Sequence, residues 1–459
     1  MKSKHIQHLY WRIGFGILPK ELEKELKKDK RTIVYDFLNS SSTITPLTVD
    51  TTELSNLIGD SFENIKKNIK KFQSESRKKT IELNLAWIER LSNTTELLRE
   101  KMILFWANHF VCEDNNIFHT QQFHNTLRKH ALGNFKDFVI AISKEPAMIK
   151  YLNTKQNKKQ KPNENFAREL MELFTLGLGE YSEQDIKESA RAFTGYSHNF
   201  KGEFVFRERQ HDNGVKTFFG KTGNFNGDDI IEIILENKSC AKFICEKVYR
   251  YFINDTIDEY HINEMVNVFY ADYDIAALMK HIMLSDWFYD EKNIGAKIKS
   301  PIEYIVGMQR LVPIVFKDPK QLLYIQKVLG QILFKPPNVA GWKGGKSWID
   351  SNTIVLRLKL PSLILNDAYI SNASNGAKDF QMDAKKQIFR NRYGKRFKAE
   401  INWTYFNKSF GSVDINNLDK YILITGINDK AASYLESLSK VSKQEYCIQL
   451  MSLPEYQMC

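Results

Sequence analysis

A chain of 459 residues with 42% hydrophobic and 12% aromatic side chains has enough apolar matter for a large core, which excludes global disorder. Its 22 Gly and 11 Pro are too few for a sandwich of many short strands, and a formal net charge of +11 marks a basic protein. No stretch reaches the ~18–20 apolar residues of a membrane span, so no transmembrane segment is expected. The start, Met1–Gly16, lacks the unbroken apolar run of a cleaved leader, and a cytoplasmic location is the expectation.

The surplus of lysine has two readings. It covers solvated faces, or it attracts a polyanion such as nucleic acid or an anionic polysaccharide. Lys155–Lys161 reads as a loop and Glu63–Lys79 as a solvated helix, and neither carries the interleaved aromatics of a single-strand binder. The five cysteines form no CxxC pair and sit apart from histidine, so inert thiols fit them better than structural zinc.

In chain order, His5–Phe15 has helical spacing and stops at Gly14 and Gly16. Pro19 suits the first position of a second helix through Glu21–Lys28, and Thr32–Leu38 gives a third. Asn39–Thr52 reads as a Ser/Thr-rich loop. From Leu54 to about His130 the pattern is nearly all helical, followed by short helices at Phe135–Ser143 and Pro146–Leu152. Ser182 and Asp185 read as a capping box opening a helix that ends at Gly195. Composition shifts at Tyr196. Glu203–Phe206 and Val215–Phe219 look like two short strands around the polar turn His211–Gly214. Helical patterns resume from Gly227 onward, interrupted by a Pro/Gly/Trp-rich loop at Phe334–Ser347. The expected fold is mainly α: a multi-helix globular bundle with a small β-hairpin insertion. Its parts are a helical region 1–195, a hairpin insertion 196–225, a second helical region 226–370 and a closing helical region 371–459.

Several stretches carry a family resemblance. The run PNENFARELMELFTLGLGEY is the most specific, joined by HLYWRIGFG, LREKMILFWANHF, ALGNFKDFVIAISKEPAMIKYL, HDNGVKTFFG, IKSPIEYIVG, LFKPPNVAGWKGG and the terminal LPEY. Together they resemble the domain-of-unknown-function 1800 family over nearly the whole chain, with His8, Leu9, Arg12, Gly14, Phe15 and Gly16 filling its opening pattern. The resemblance implies a bacterial protein and, as a partner, a sulfatase/alkaline-phosphatase-like protein encoded nearby. It attaches no settled activity.

The segment Pro162–Gly177 is the first candidate for chemistry. Asn163 is placed to cap a helix running to Gly177. At 100° per residue, Phe166, Ala167, Leu170, Met171, Leu173 and Phe174 fall on one half, while Glu164, Arg168, Glu172 and Thr175 form a stripe on the other, flanked by Glu169. The stripe is either a set of ordinary ion pairs or, facing a cleft, a general acid/base and charge-stabilising cluster. His211-Asp212 is the second candidate, either catalytic groups on a loop or turn chemistry. Arg191 is expected to reach the Glu stripe across a short helical hairpin and bind substrate. Asn338 and Trp342, on the Pro/Gly-rich loop, and Trp106 complete the substrate-binding candidates. A divalent metal needs long-range convergence, with His109 and His211 as weak ligands, because no HExxH or ExxH repeat occurs. GxSxG, Walker A and dinucleotide fingerprints are also absent.

Two functions fit these residues. One is a hydrolase or group-transfer enzyme acting on a carbohydrate or another polar, anionic substrate through the Glu/Arg/His cluster. The other is a non-catalytic polyanion- or protein-binding assembly factor in which the Glu–Arg network is a staple.

Overall fold

A computed structural model describes residues 1–58, 62–199, 201–366, 397–437 and 441–459. Within these the protein is mainly α, with 22 α-helices and three two-stranded antiparallel sheets. Residues 371–396 of the expected closing region lie outside the described residues. A single buried apolar cluster runs from Ile6 to Tyr456 and takes in side chains from all four expected regions.

Local chemistry sets many of the boundaries. Pro19 opens the helix Pro19–Glu25. Ser182 and Asp185 exchange side-chain bonds with each other's backbone amides and start Glu183–Ala192. Asn226 with Asp229 and Ser300 with Glu303 repeat that device at Gly227–Glu236 and Pro301–Leu311.

Three helices form the N-terminal core: Phe62–Asn93, Leu97–His109 and Ile117–His130. They are joined by a fully buried ion pair. Both guanidinium arms of Arg128 meet the carboxylate of Glu100, which also accepts a bond from Trp87 Nε1 at 3.1 Å. Arg99 reaches across to the carbonyl of Arg128 at 2.6 Å. Trp106 lies at the centre of this core, fully buried, its Nε1 donating to the Ala131 carbonyl at 3.0 Å. It stacks on Phe110 and Phe135, and so it is a packing residue rather than a ligand-binding surface.

The β structure departs from the expected hairpin. The two expected strands do not pair with each other. Tyr196–His198 (β1) pairs with Phe204–Phe206 (β2), and Lys216–Phe218 (β3) pairs with Lys221–Gly223 (β4). The segment between β2 and β3 is not a free turn, because Asp212 is clamped by Arg191 from the preceding helix. A third pair, Ile314–Phe316 (β5) with Ala399–Ile401 (β6), ties the closing region to the second helical region. Short paired segments of three residues leave little period-2 signal to read.

The Glu100–Arg128 pair gives a stability test. Arg128→Met leaves the carboxylate buried without its counter-charge and should cost about 3–5 kcal/mol in urea unfolding. The double variant with Glu100→Leu should recover much of that loss. Equal losses in the single and double variants would show that the pair does not govern this core.

Candidate functional site

The expected motif helix forms, but not as one regular rod. Residues Asn165–Glu169 are α-helical, and Leu170–Thr175 continue as a π-helical turn. The helix begins one residue later than expected, with Glu164 at the cap position, and Asn163 Oδ1 accepts from the amide of Asn165 at 3.2 Å just before it. The wide turn rotates everything that follows it. Thr175 leaves the polar stripe and is buried, its hydroxyl donating to Leu170 O at 2.6 Å.

The acidic face points away from a closed site. Arg168 bonds Glu183 on the next helix through both arms, at 2.9 and 3.0 Å, and Glu164 at 3.3 Å. Glu172 accepts from the Tyr181 hydroxyl at 3.0 Å. Burial, and then the neighbouring Glu172, push the Glu169 carboxyl above its ordinary range. Arg191 does not reach this stripe. It forks onto Asp212, with its Nε 2.7 Å from Oδ2, and also holds Glu188 at 2.8 Å. The bonds from Arg191 keep the Asp212 carboxyl below its usual range. His211 is buried, with Nδ1 2.8 Å from Thr194 O. His211-Asp212 thus closes the loop beside Arg191, apart from the Glu stripe. Among the described residues no group of three or more His, Cys, Asp or Glu is placed to hold a metal ion. All five cysteines are free thiols, and four of them are buried.

A different set of residues converges on a cleft of about 660 Å³. Its walls come from five separated segments. The first helix, Ser3–Arg12, brings Trp11 and Arg12, and Leu97–His109 brings Lys101, Phe105, Asn108 and His109. Lys238–Phe252 brings Lys247, Arg250 and Tyr251, while Lys297, Ser300 and Glu303 come from around the start of Pro301–Leu311. The Pro/Gly-rich loop adds Trp342, Lys343 and Lys346, with Trp348 just beyond it. Three of the stretches that carry the family resemblance to either side of the motif, LREKMILFWANHF, IKSPIEYIVG and LFKPPNVAGWKGG, therefore meet here, together with HLYWRIGFG.

The loop is held in place by its backbone. Asn108 Oδ1 accepts the amide of Trp342 at 2.7 Å, and Asn108 Nδ2 donates to the Trp342 carbonyl at 3.0 Å. Gly341, with φ +76°, lies so close that a Cβ there would stand 2.3 Å from Asn108 Oδ1. Trp342 itself is half-buried and lines the cleft. Asn338 is exposed and caps its own turn through the amide of Ala340 at 2.9 Å, so it serves the loop and is not among the lining residues.

The floor is where the motif enters. The helix ends at Gly177, with φ +88°, and the carbonyls of Leu173 and Phe174 find no backbone amide. Lys247 Nζ donates to Leu173 O at 2.8 Å, and His109 Nε2 lies 3.0 Å from Phe174 O. A carbonyl only accepts, so Nε2 carries the imidazole proton. Nδ1 is then an acceptor, and Lys247 Nζ stands 3.3 Å from it. Burial and the Lys247 charge hold His109 well below the ordinary histidine range. Burial lowers the Lys247 amine to about 8.

The charge balance of the cleft is lopsided. Glu303 is taken by Lys101, which also bonds the carbonyls of Gly14 at 3.0 Å and Trp11 at 3.2 Å. Burial works to raise the Glu303 carboxyl, but the Lys101 charge and the Ser300 donors outweigh it and keep it below the usual range. Asp255 is taken by Lys297. Arg12, Lys247, Arg250, Lys343 and Lys346 line the same space and form no ion pair with a carboxylate of the described residues.

Lys101 and Lys247 were readable but missed. Each occupies a place in an apolar helical stripe, Lys101 between Leu98 and Phe105, and Lys247 between Ile244 and Tyr251. A charged residue at such a position has to find a polar partner inside.

A mainly helical fold enclosing a cationic cleft with a lysine–histidine floor defines the class. The sequence matches the family described as "Protein of unknown function (DUF1800)" over residues 8–458, and the chain belongs to that family. No curated protein and no solved structure matches it.

Two tests follow from this geometry. Glu183→Ala and Glu164→Ala should each change stability by less than about 1 kcal/mol, because the Arg168 pairs are exposed; a loss of several kcal/mol would make the network a true staple. For Lys247, 13C-dimethylated protein should show a lysine resonance titrating near 8, absent in Lys247→Arg and separate from that of Lys299, which burial lowers to about 7. The sign is that of a base whose folded pKa is depressed. The unfolded chain binds more protons between about 8 and the ordinary lysine value, so this group's contribution to stability falls as pH drops through that window. A Lys247 signal titrating with the surface lysines would remove the claim.

Proposed function

We propose that the protein is an enzyme that hydrolyses or transfers a group on a polar, anionic, carbohydrate-like substrate, and that the substrate sits in the Lys247/His109 cleft. The observation that carries this reading is the cation excess: five basic side chains line one cavity without a carboxylate partner among the described residues. Unpaired charge gathered on a concave surface attracts an opposite charge and orients it. A volume of about 660 Å³ is in the range of small-ligand pockets and suits a sugar phosphate or sulfate. Trp342 and Trp348 offer aromatic faces for an apolar sugar face.

The reading moves the working site from the Glu stripe to the cleft. In it the Glu164–Arg168–Glu183 network holds two helices together, and the motif acts through its carbonyl end. Glu169 flanks that network and is not among the residues that line the cleft. A sulfatase-like partner, implied by the family resemblance, fits a ligand bearing sulfate or phosphate.

The competing reading is a binding surface for a long polyanion. It draws on the same cations, since Arg250, Lys343 and Lys346 are exposed at the cleft. Titration calorimetry with inorganic pyrophosphate separates the outcomes. The double variant Arg250→Glu/Lys346→Glu should weaken binding by at least about tenfold, or about 1.4 kcal/mol. The salt dependence should be shallow for a small ligand contacting few cations, and steep for a polyanion. Unchanged affinity in the double variant would sink the cleft assignment.

A further inference from the structure

Lys247 differs from the other cations of the cleft in what it touches. Its Nζ faces the Leu173 carbonyl at 2.8 Å, the lone pair of His109 Nδ1 at 3.3 Å and the Phe243 ring at 4.5 Å from the centroid. No carboxylate of the described residues pairs with it. Two acceptors take two N–H bonds, which is the full complement of a neutral amine. The remaining tetrahedral position then holds a lone pair. A lysine meant only to anchor an anion has no need of this surrounding, and Arg250, one turn along the same helix, already provides a permanent cation.

We infer that the ligand of the cleft is an anionic carbonyl compound, and that Lys247 Nζ condenses with its carbonyl carbon to form a Schiff base. This rests on the proposed anion-binding cleft and names the substrate class within it. The unpaired cations hold the acidic group, and the carbonyl is presented to the floor. The Nζ lone pair forms the N–C bond as the C=O π bond breaks, giving a carbinolamine. Both amine hydrogens pass to the oxygen through water of the open cleft. The oxygen leaves as water and the N=C bond forms. Amine plus carbonyl gives imine plus water, with no oxidant or reductant required. The amine, lowered to about 8 by burial, is available as a nucleophile near neutral pH, which an exposed lysine is not.

The probe is pyridoxal 5′-phosphate, an aldehyde bearing a phosphate, trapped with borohydride and located by peptide mapping. Wild-type protein should carry the label at Lys247, and pyrophosphate should compete with it. Pyridoxal without the phosphate should label this site at least about tenfold less. Lys247→Arg keeps the charge and the donors to Leu173 and His109, and its total incorporation should fall by at least about tenfold. Label spread evenly over surface lysines, or undiminished in Lys247→Arg, would overturn the inference. The wild-type map decides the matter even if a variant folds poorly. Pyrophosphate binding measured on the same wild-type protein distinguishes the two failures. Binding without Lys247 label removes the Schiff base alone, and absence of binding removes the cleft reading as well.

Discussion

The carbonyl oxygens of Leu173 and Phe174 need donors that their own helix cannot supply. That requirement fixes the centre of the molecule. A helix that closes on a π turn and stops at a left-handed glycine leaves these acceptors open. Lys247 and His109 satisfy them, and so two helices from either side of the motif are drawn to one point. The imidazole tautomer follows, because Phe174 O demands a proton on Nε2. The amine follows in turn, because Nδ1 is left as an acceptor. One backbone deficit thus orders two side chains whose ionisation is then governed by burial.

Electrostatics in the cleft depends on the same economy of partners. Among the described residues, both side-chain carboxylates that line it are taken, Glu303 by Lys101 and Asp255 by Lys297. The Lys101–Glu303 pair has structural work, since Lys101 also closes on the carbonyls of Trp11 and Gly14 at the end of the first helix. Glu303 in turn caps the helix it begins. These two charges are thereby consumed in holding walls together. The cations left over belong to the cavity. The Glu100–Arg128 pair is similar in kind but fully buried and not part of the cleft lining, and it ties helices.

Much of this frame could be read along the chain. Pro19, the Ser182–Asp185 box and the helical stripes around Trp87 and Trp106 specify helices by local chemistry, and those helices form where expected. The hairpin region was half legible. The strand residues were seen, but partner choice depends on Arg191 gripping Asp212, a contact across 21 positions that spacing does not encode. The π turn was illegible for a related reason. Asn165–Thr175 has ordinary helical spacing, and the departure arises where the end of the segment meets Lys247 and His109. The acidic stripe is plain in the sequence because its charges repeat at helical spacing within one segment. The cleft cations are scattered over five segments, and only the fold gathers them.

Asn108 holds the Trp342 loop entirely by main-chain atoms, amide to Oδ1 and carbonyl to Nδ2. The anchor at this point is therefore uncoupled from the identity of the side chain at position 342. Trp342, Lys343 and Lys346 can each be exchanged while the anchor stays as it is. Such a scaffold separates the question of where a recognition loop sits from the question of what it recognises, and it lets ligand preference drift between related proteins at little structural cost.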